Sequence, residues 1–422
     1  MWAAAARRWF MNRPRAGVLH QHARRTASAM KEKDSKKHLY LVLDDLNKGC
    51  SVHKLDIHED DGGVGVRQQL PLPVTRLHYP TLGDHPYVGV LGSNVVGIGS
   101  GSPESSWPCN RRAGVTVAFD VKTAALTMLR DLPTGERDSY VVHLTVAVGN
   151  RMYMIESGSG EYKHGDEPCT GAMHCLKHTT TAGGGDDDDQ EQWPWWDFSF
   201  ESPSLMRWRW NDVQDGTPFH ASGIMAHALH PGGRAFFVSL HDPRVHAGDD
   251  RRGTFSYDTG KEGGGCWTRH GDWELPFAGQ AHYDAGLDAW LGLHLHTHNR
   301  EFYMDGYLCT CDVPPLGGGG TLAPDWRLSN EELFHVDPQR HIDAKIVPTG
   351  GGGSFCLVEI LTREGVRRDE CLGDGDKCVL RLTTFRAEYA ADGELTITAR
   401  RPAGHYYISR YIYMFQPQAF WM

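Results

Sequence analysis

From residue 38 onward, apolar residues either alternate with polar ones or cluster in short β-branched and aromatic runs. The three-to-four spacing of an amphipathic helix is almost absent. Six runs stand out: Leu39–Leu43, Val95–Ile98, Met152–Ile155, Ala235–Leu240, Ala289–Leu293 and Phe355–Ile360. Four of them follow a turn signal directly, at Ser93-Asn94, Gly149-Asn150, Pro231-Gly232-Gly233 and Gly350 to Gly353. Gly and Asn tolerate the positive φ that tight hairpin turns require, so these runs read as strands entered from hairpins.

Each run is followed by a second strand. Val52–Asp56, Val115–Asp120, Thr254–Asp258 and Leu308–Asp312 end in an Asp, whose side chain can bond its own backbone two residues on. Met173–Leu176 and Val379–Phe385 are the other two, and Ala125–Arg130 and Glu394–Ala399 read as third strands. The last five runs are also preceded by a strand: Tyr87–Leu91, Val141–Val148, Ala221–Leu229, Gly279–Tyr283 and Ile342–Val347. The first run has no such partner upstream, whereas Tyr406–Phe415 is strand-like and has no successor. The pattern predicts an all-β fold over residues 38–422, a six-bladed β-propeller in which Tyr406–Phe415 closes the first blade. Closure removes open sheet edges. A pair of β-sandwiches is the rival, and the count of six units argues against it.

The spacing of Asp-containing turns, from Asp56 to Asp120 and from Asp258 to Asp312, exceeds the roughly 40–50 residues of an ordinary blade, so loop insertions are required. A polar, low-complexity loop at about 158–192 contains Gly183 to Asp189, and Pro314–Pro324 and Glu364–Lys377 are further insertions. Residues 1–37 form a basic arm. Up to Lys31 it holds Arg7, Arg8, Arg13, Arg15, Arg24 and Arg25 and no acid, which fits a disordered arm or an organelle transit peptide.

Composition narrows the function classes. The chain has 422 residues, with 43 Lys+Arg against 53 Asp+Glu and a formal net charge of −10, so no nucleic-acid partner is expected. No run reaches the roughly 18 apolar residues of a membrane-spanning helix, and no membrane association is expected. The 10 cysteines are scattered without a secretory leader, so reduced thiols and an intracellular site, cytoplasm or nucleus, are expected.

The sharpest chemical motif is His294-x-His296-x-His298, three imidazoles on one strand face and a candidate metal site. A straight strand spaces them too widely to converge, and a polar strand end is the simpler reading. Cys169, His174, Cys175 and His178 lack zinc-finger spacing; Cys309 with Cys311, and Cys371 with Cys378, read as structural. The run Asp186 to Asp189 reads as a solvated loop. Gly-x-Ser-x-Gly does not occur, so that hydrolase class gains no support. Trp193, Trp195 and Trp196, with Trp208, Arg209 and Trp210, are candidates for a partner-binding surface, because Trp and Arg dominate interaction hot spots. Packing between blades is the competing role, and the firmer one for Trp267, Trp273 and Trp290.

The stretch Gly253–Thr259, His270–Phe277, Ala281-His282-Tyr283-Asp284, Leu287–Leu291 and Leu308–Val313 has a distinctive cadence. With Arg7–Asn12 and the Tyr40–Asp44 and Val52–Asp56 pairing, it resembles the cereal-plant family of domain of unknown function 1668 over most of the chain. The resemblance implies a kelch-like or F-box-associated type of propeller and supplies no activity or catalytic residue. No F-box-like helical leader is evident in residues 1–37.

The expectation is a monomeric, non-enzymatic scaffold that binds a protein partner through its loops, with no cofactor and no catalytic residue assigned. The competing class is an enzyme with a hydrolase-like or metal-dependent site at the central channel. Converging His, Asp or Glu in that channel would favour the enzyme; Gly and apolar side chains there would favour the scaffold.

Overall fold

The computed structural model describes residues 37–44, 50–57, 68–77, 87–99, 116–129, 132, 140–158, 171–179, 208–213, 216–241, 253–260, 265–298, 301–317, 322–350, 352–371, 373–410 and 418–422. Residues 1–36, including almost all of the basic arm, lie outside that set. Among the described residues the fold is all-β, with three short 3-10 turns and no α-helix.

The strands are β1 (Leu39–Asp44), β2 (Cys50–Leu55), β3 (Gln68–Gln69) and β4 (Thr75–Leu77). They continue with β5 (Tyr87–Leu91), β6 (Asn94–Ile98), β7 (Thr116–Asp120) and β8 (Ala125–Met128). Then come β9 (Tyr140–Val148), β10 (Arg151–Gly158), β11 (Ala172–His178) and β12 (Trp208–Val213). The next four are β13 (Ile224–Leu229), β14 (Ala235–Leu240), β15 (Gly253–Asp258) and β16 (Cys266–Gly271). They are followed by β17 (Gly279–Asp284), β18 (Ala289–His298), β19 (Glu301–Asp312) and β20 (Trp326–Glu332). The last are β21 (His341–Pro348), β22 (Ser354–Thr362), β23 (Gly373–Tyr389), β24 (Leu395–Arg410) and β25 (Gln418–Trp421).

Pairing sorts them into antiparallel four-stranded groups: β25-β1-β2-β4, β5 to β8, β9 to β12, β13 to β16, β17 to β20 and β21 to β24. The last three groups join into one extended sheet through the parallel pairs β13–β17 and β20–β24, and β3 lies parallel to β24.

Every one of the six apolar runs is the second strand of its group. The reason is visible in β1. Leu39, Leu41 and Leu43 pack into a cluster with Ile342, Cys356, Val358 and Leu380 of the last group, while Tyr40 and Val42 join Val88, Val95 and Phe119 of the second group. A strand buried on both faces must be apolar at odd and even positions alike, which erases the alternation of a one-sided strand. Outer strands show the opposite: Leu126 and Met128 on β8 are exposed.

The core is divided in the same way. Separate clusters lie between the first and second groups, the second and third, and so on. A further cluster, already described at β1, joins the last group to the first.

Several sequence expectations need correction. The strand that pairs with β1 is β25, with Leu39 opposite Trp421 and Val42 opposite Gln418. Tyr406–Phe415 does not play that part: Tyr406 to Arg410 is the end of the long β24, paired with Leu380 and Val379 of β23, and the remainder up to Phe415 lies outside the described residues. Ala221–Gly223 is a 3-10 turn rather than the start of a strand, with His220 accepting from the Ser222 N–H. The insertion at about 158–192 is interrupted by β11.

Candidate functional site

The first strands of the groups lie against one another: β25 against β5, β5 against β9, β9 against β13, β13 against β17, and β21 against β25. Between β17 and β21 the link is direct, for the His282 ring nitrogen Nε2 lies 3.1 Å from the Ile346 carbonyl oxygen. Asp284 Oδ2 also accepts the Gly353 N–H at 2.9 Å.

The polar side chains on these strands include His143 on β9, His227 on β13, His282 on β17, Lys345 on β21 and Gln418 on β25. In the parallel β13–β17 pair His227 is opposite Gln280. Residues two apart share a strand face, so His282 is on the side of the pair that His227 occupies. Lys345 Nζ donates to Gln418 Oε1 at 2.8 Å. Because a carbonyl only accepts, the His282 Nε2 carries the proton and donates to Ile346, which leaves Nδ1 as an acceptor.

Burial lowers all three basic groups, and Lys345 lowers both imidazoles further. Burial, with Lys345 and His282 adding to it, pushes His227 down from 6.5 to about 3. Burial takes His282 to about 4; the Ile346 hydrogen bond opposes that and Lys345 reinforces it. Lys345 is lowered by burial to about 8, with Asp343 pulling the other way. All three sit deep in the molecule yet keep partial contact with solvent. Water reaches them, so the desolvation acts less fully than in a sealed core. At neutral pH the cluster holds two neutral imidazoles beside one ammonium.

The residues singled out in the sequence lie elsewhere. His294 is buried, with Nδ1 at 2.7 Å from Asp305 Oδ2 and its ring stacked on Trp326. His296 Nδ1 is 3.8 Å from the same oxygen, and its ring lies against Tyr303. A register shift between Leu293 and Leu295 interrupts the straight strand there, and both imidazoles share a carboxylate that sequence reasoning did not identify. The His298 side chain lies outside the described residues. Among the described residues no group of three or more His, Cys, Asp or Glu side chains is placed to hold a metal ion. A metal at this spot would need a further ligand, such as His298.

Trp193, Trp195 and Trp196 also lie outside the described residues. Trp208 and Trp210 are half-buried against the cluster between the second and third groups, and Trp208 lies on His178 with ring centroids 4.2 Å apart. Alternation on β12 sets both indoles against that cluster and leaves Arg209 exposed. Trp290 is fully buried and donates to the Leu229 carbonyl, while Trp267 donates to that of Gly216; both are packing residues.

Cys175, Cys309, Cys311 and Cys356 are free, buried thiols. Cys309 and Cys311 face the same core cluster, where burial pushes the Cys311 thiol up to about 12 and Cys309 higher still. Cys371 and Cys378 are both buried in the cluster between the last and first groups. His174 and Cys175 are consecutive on β11 and point to opposite faces: Cys175 enters the core and His174 bonds Asp212 at 2.8 Å. No knuckle forms from them. Among the described residues no helix is long and apolar enough to cross a membrane.

No curated protein matches the chain. Among solved structures, an exo-1,5-alpha-L-arabinanase from a bovine ruminal metagenomic library is similar at 12% identity and a TM-score of 0.31, covering 76% of this chain and 99% of that one. A mutant of Trypanosoma rangeli sialidase displaying trans-sialidase activity is similar at 9% identity and a TM-score of 0.26, covering 87% of this chain and 52% of that one. Neither likeness bears on activity. Residues 36–406 match the family described as "Protein of unknown function (DUF1668)", and the chain belongs to that family.

Proposed function

We propose that the chain is a closed, six-bladed, kelch-like β-propeller that works as a non-enzymatic binding scaffold, with its inner cluster lining the central channel. The carrying observation is the cyclic order of the core: each hydrophobic cluster joins consecutive four-stranded groups, and one joins the last group to the first. A pair of stacked β-sandwiches would bury its residues in one core per sandwich. In the propeller arrangement the first strands surround an axis, and His227, His282, Lys345 and Gln418 come from four different blades to meet there. Rigid rings present ligands and partners to their loops and channel. A monomer suffices, since the blades cover one another's faces.

The converging histidines favour a second reading. Neutral imidazoles beside a lysine lowered toward neutrality are what general acid–base catalysis uses. Native mass spectrometry of the full chain incubated with a tissue small-molecule extract separates the two. A retained, chemically unchanged ligand that is lost in Lys345→Met supports the scaffold. Accumulation of a converted product, abolished by His227→Gln, replaces it with the enzyme.

A further inference from the structure

We infer that His227, His282 and Lys345 form an anion seat, which takes the carboxylate or phosphate group of a small molecule and binds a proton with it. The inference rests on the reading that these side chains line one channel.

The chemistry follows from an imbalance. Three bases from three strands meet. Asp343, two residues from Lys345 on the same strand, is the acid that acts on the lysine and already accepts the Ala344 N–H at 2.8 Å, while Asp284, two residues from His282, is taken up by the Gly286, Leu287 and Gly353 N–H groups. Gln418, the hydrogen-bond partner of Lys345, is a neutral amide, so it offers a dipole and no counter-charge. The ammonium has three donors, which leaves donors for a ligand. With a net charge of −10 a seat for anions must be local, and His227, His282 and Lys345 are a local excess of bases.

The coupling to protons has a fixed sign. Without ligand, burial holds all three bases toward the less protonated form, and Lys345 adds to this at both imidazoles. An anion between them favours the charged form of each, so the unprotonated fraction of Lys345, and an imidazole whose value the anion raises past the working pH, take a proton from solvent as the anion enters. No bond is made or broken besides that N–H. Affinity therefore rises as pH falls from 8 to 6.

Isothermal titration calorimetry of the full chain at pH 6.5, with inorganic phosphate in one series and acetate in another, tests this. Each series is run in two buffers of different ionisation enthalpy. The expected result is saturable binding whose heat depends on the buffer in the sense of proton uptake. Lys345→Met weakens it at least tenfold while the melting temperature is kept, as loss of a charge-assisted hydrogen bond should. Binding of phosphate alone assigns a phosphate ligand; binding of both anions with phosphate weaker assigns a carboxylate. Weak binding that is indifferent to Lys345→Met and to buffer overturns the inference. A Leu41→Cys, Ala419→Cys pair that crosslinks on oxidation shows separately that β25 closes onto β1. If it crosslinks and no anion binds, the seat is refuted and the ring stands; if it fails to crosslink, the ring itself is refuted.

Discussion

Two clusters of ionisable side chains in this protein can be set side by side. On β22, Glu359 is fully buried. It accepts the His335 N–H at 2.9 Å, meets His341 Nδ1 at 3.2 Å, and lies 2.6 Å from Arg381 Nε as an ion pair without hydrogen-bond geometry. Arg381 and Arg400 in turn donate to the Leu333 carbonyl. Burial alone would raise the Glu359 carboxyl, but the His341 hydrogen bond, the Arg381 charge and the His335 N–H hold it below the usual range. Around His227, His282 and Lys345 the signs do not cancel, and the bases are lowered instead. A charge that finds its complement inside the fold ties strands together. A group of bases left half-matched and in touch with water costs stability, and persists where something outside the chain completes it.

The sharpest way to break the contrast is Glu359→Ala. It strands Arg381 in a half-buried site and is expected to cost about 3–5 kcal/mol in urea denaturation, the range for removing one partner of a buried pair. A cost under about 1 kcal/mol would mean that the cluster holds nothing together.

Acid titration separates the two clusters next. His227 and His282 have folded values below the unfolded 6.5, so the unfolded chain binds protons first and stability falls as pH drops from 6.5 toward about 4 and 3. Glu359, also lowered, contributes stability above its unfolded value of 4.5 that is lost as pH falls through the folded one. The double variant His227→Gln, His282→Gln should flatten the upper part of the denaturation-midpoint profile and leave the lower part. Unchanged slope between pH 6.5 and 4.5 would contradict the histidine assignment.

A milder effect is expected from Lys345→Met, which removes the charge and keeps most of the stem. Stability at pH 7 should stay within about 1 kcal/mol or rise, since the substitution removes the cost of burying the ammonium. A loss comparable to that of Glu359→Ala would put Lys345 in the structural class. The smallest effect belongs to Arg367→Ala: its partner Asp369 and it are both exposed, and the melting temperature should not move.

How much of this was legible in the chain depended on burial. Second strands were readable because both faces are covered, as in Ala235 to Leu240, where every residue is buried. The strand that pairs with β1 was not. Tyr406 to Arg410 is richer in aromatic and β-branched residues than Gln418-Ala419-Phe420-Trp421, yet it serves to extend the β23–β24 hairpin, and four residues are too few to show a period. His294 and His296 announced themselves by spacing, but Asp305, which unites them, sits across a hairpin and an irregular register. The inner cluster had the faintest signal of all: one basic residue midway along Ile224–Leu229, Gly279–Asp284 and His341–Pro348. Only the packing of first strands from different groups against one another brings those three together.

The direct test is an NMR pH titration of the His227 and His282 imidazoles in the wild-type chain and in Lys345→Met. Both rings should titrate well below 6.5 in the wild type and shift upward together when the lysine charge is removed. Rings that titrate near 6.5 and ignore position 345 would show that these side chains do not share a site.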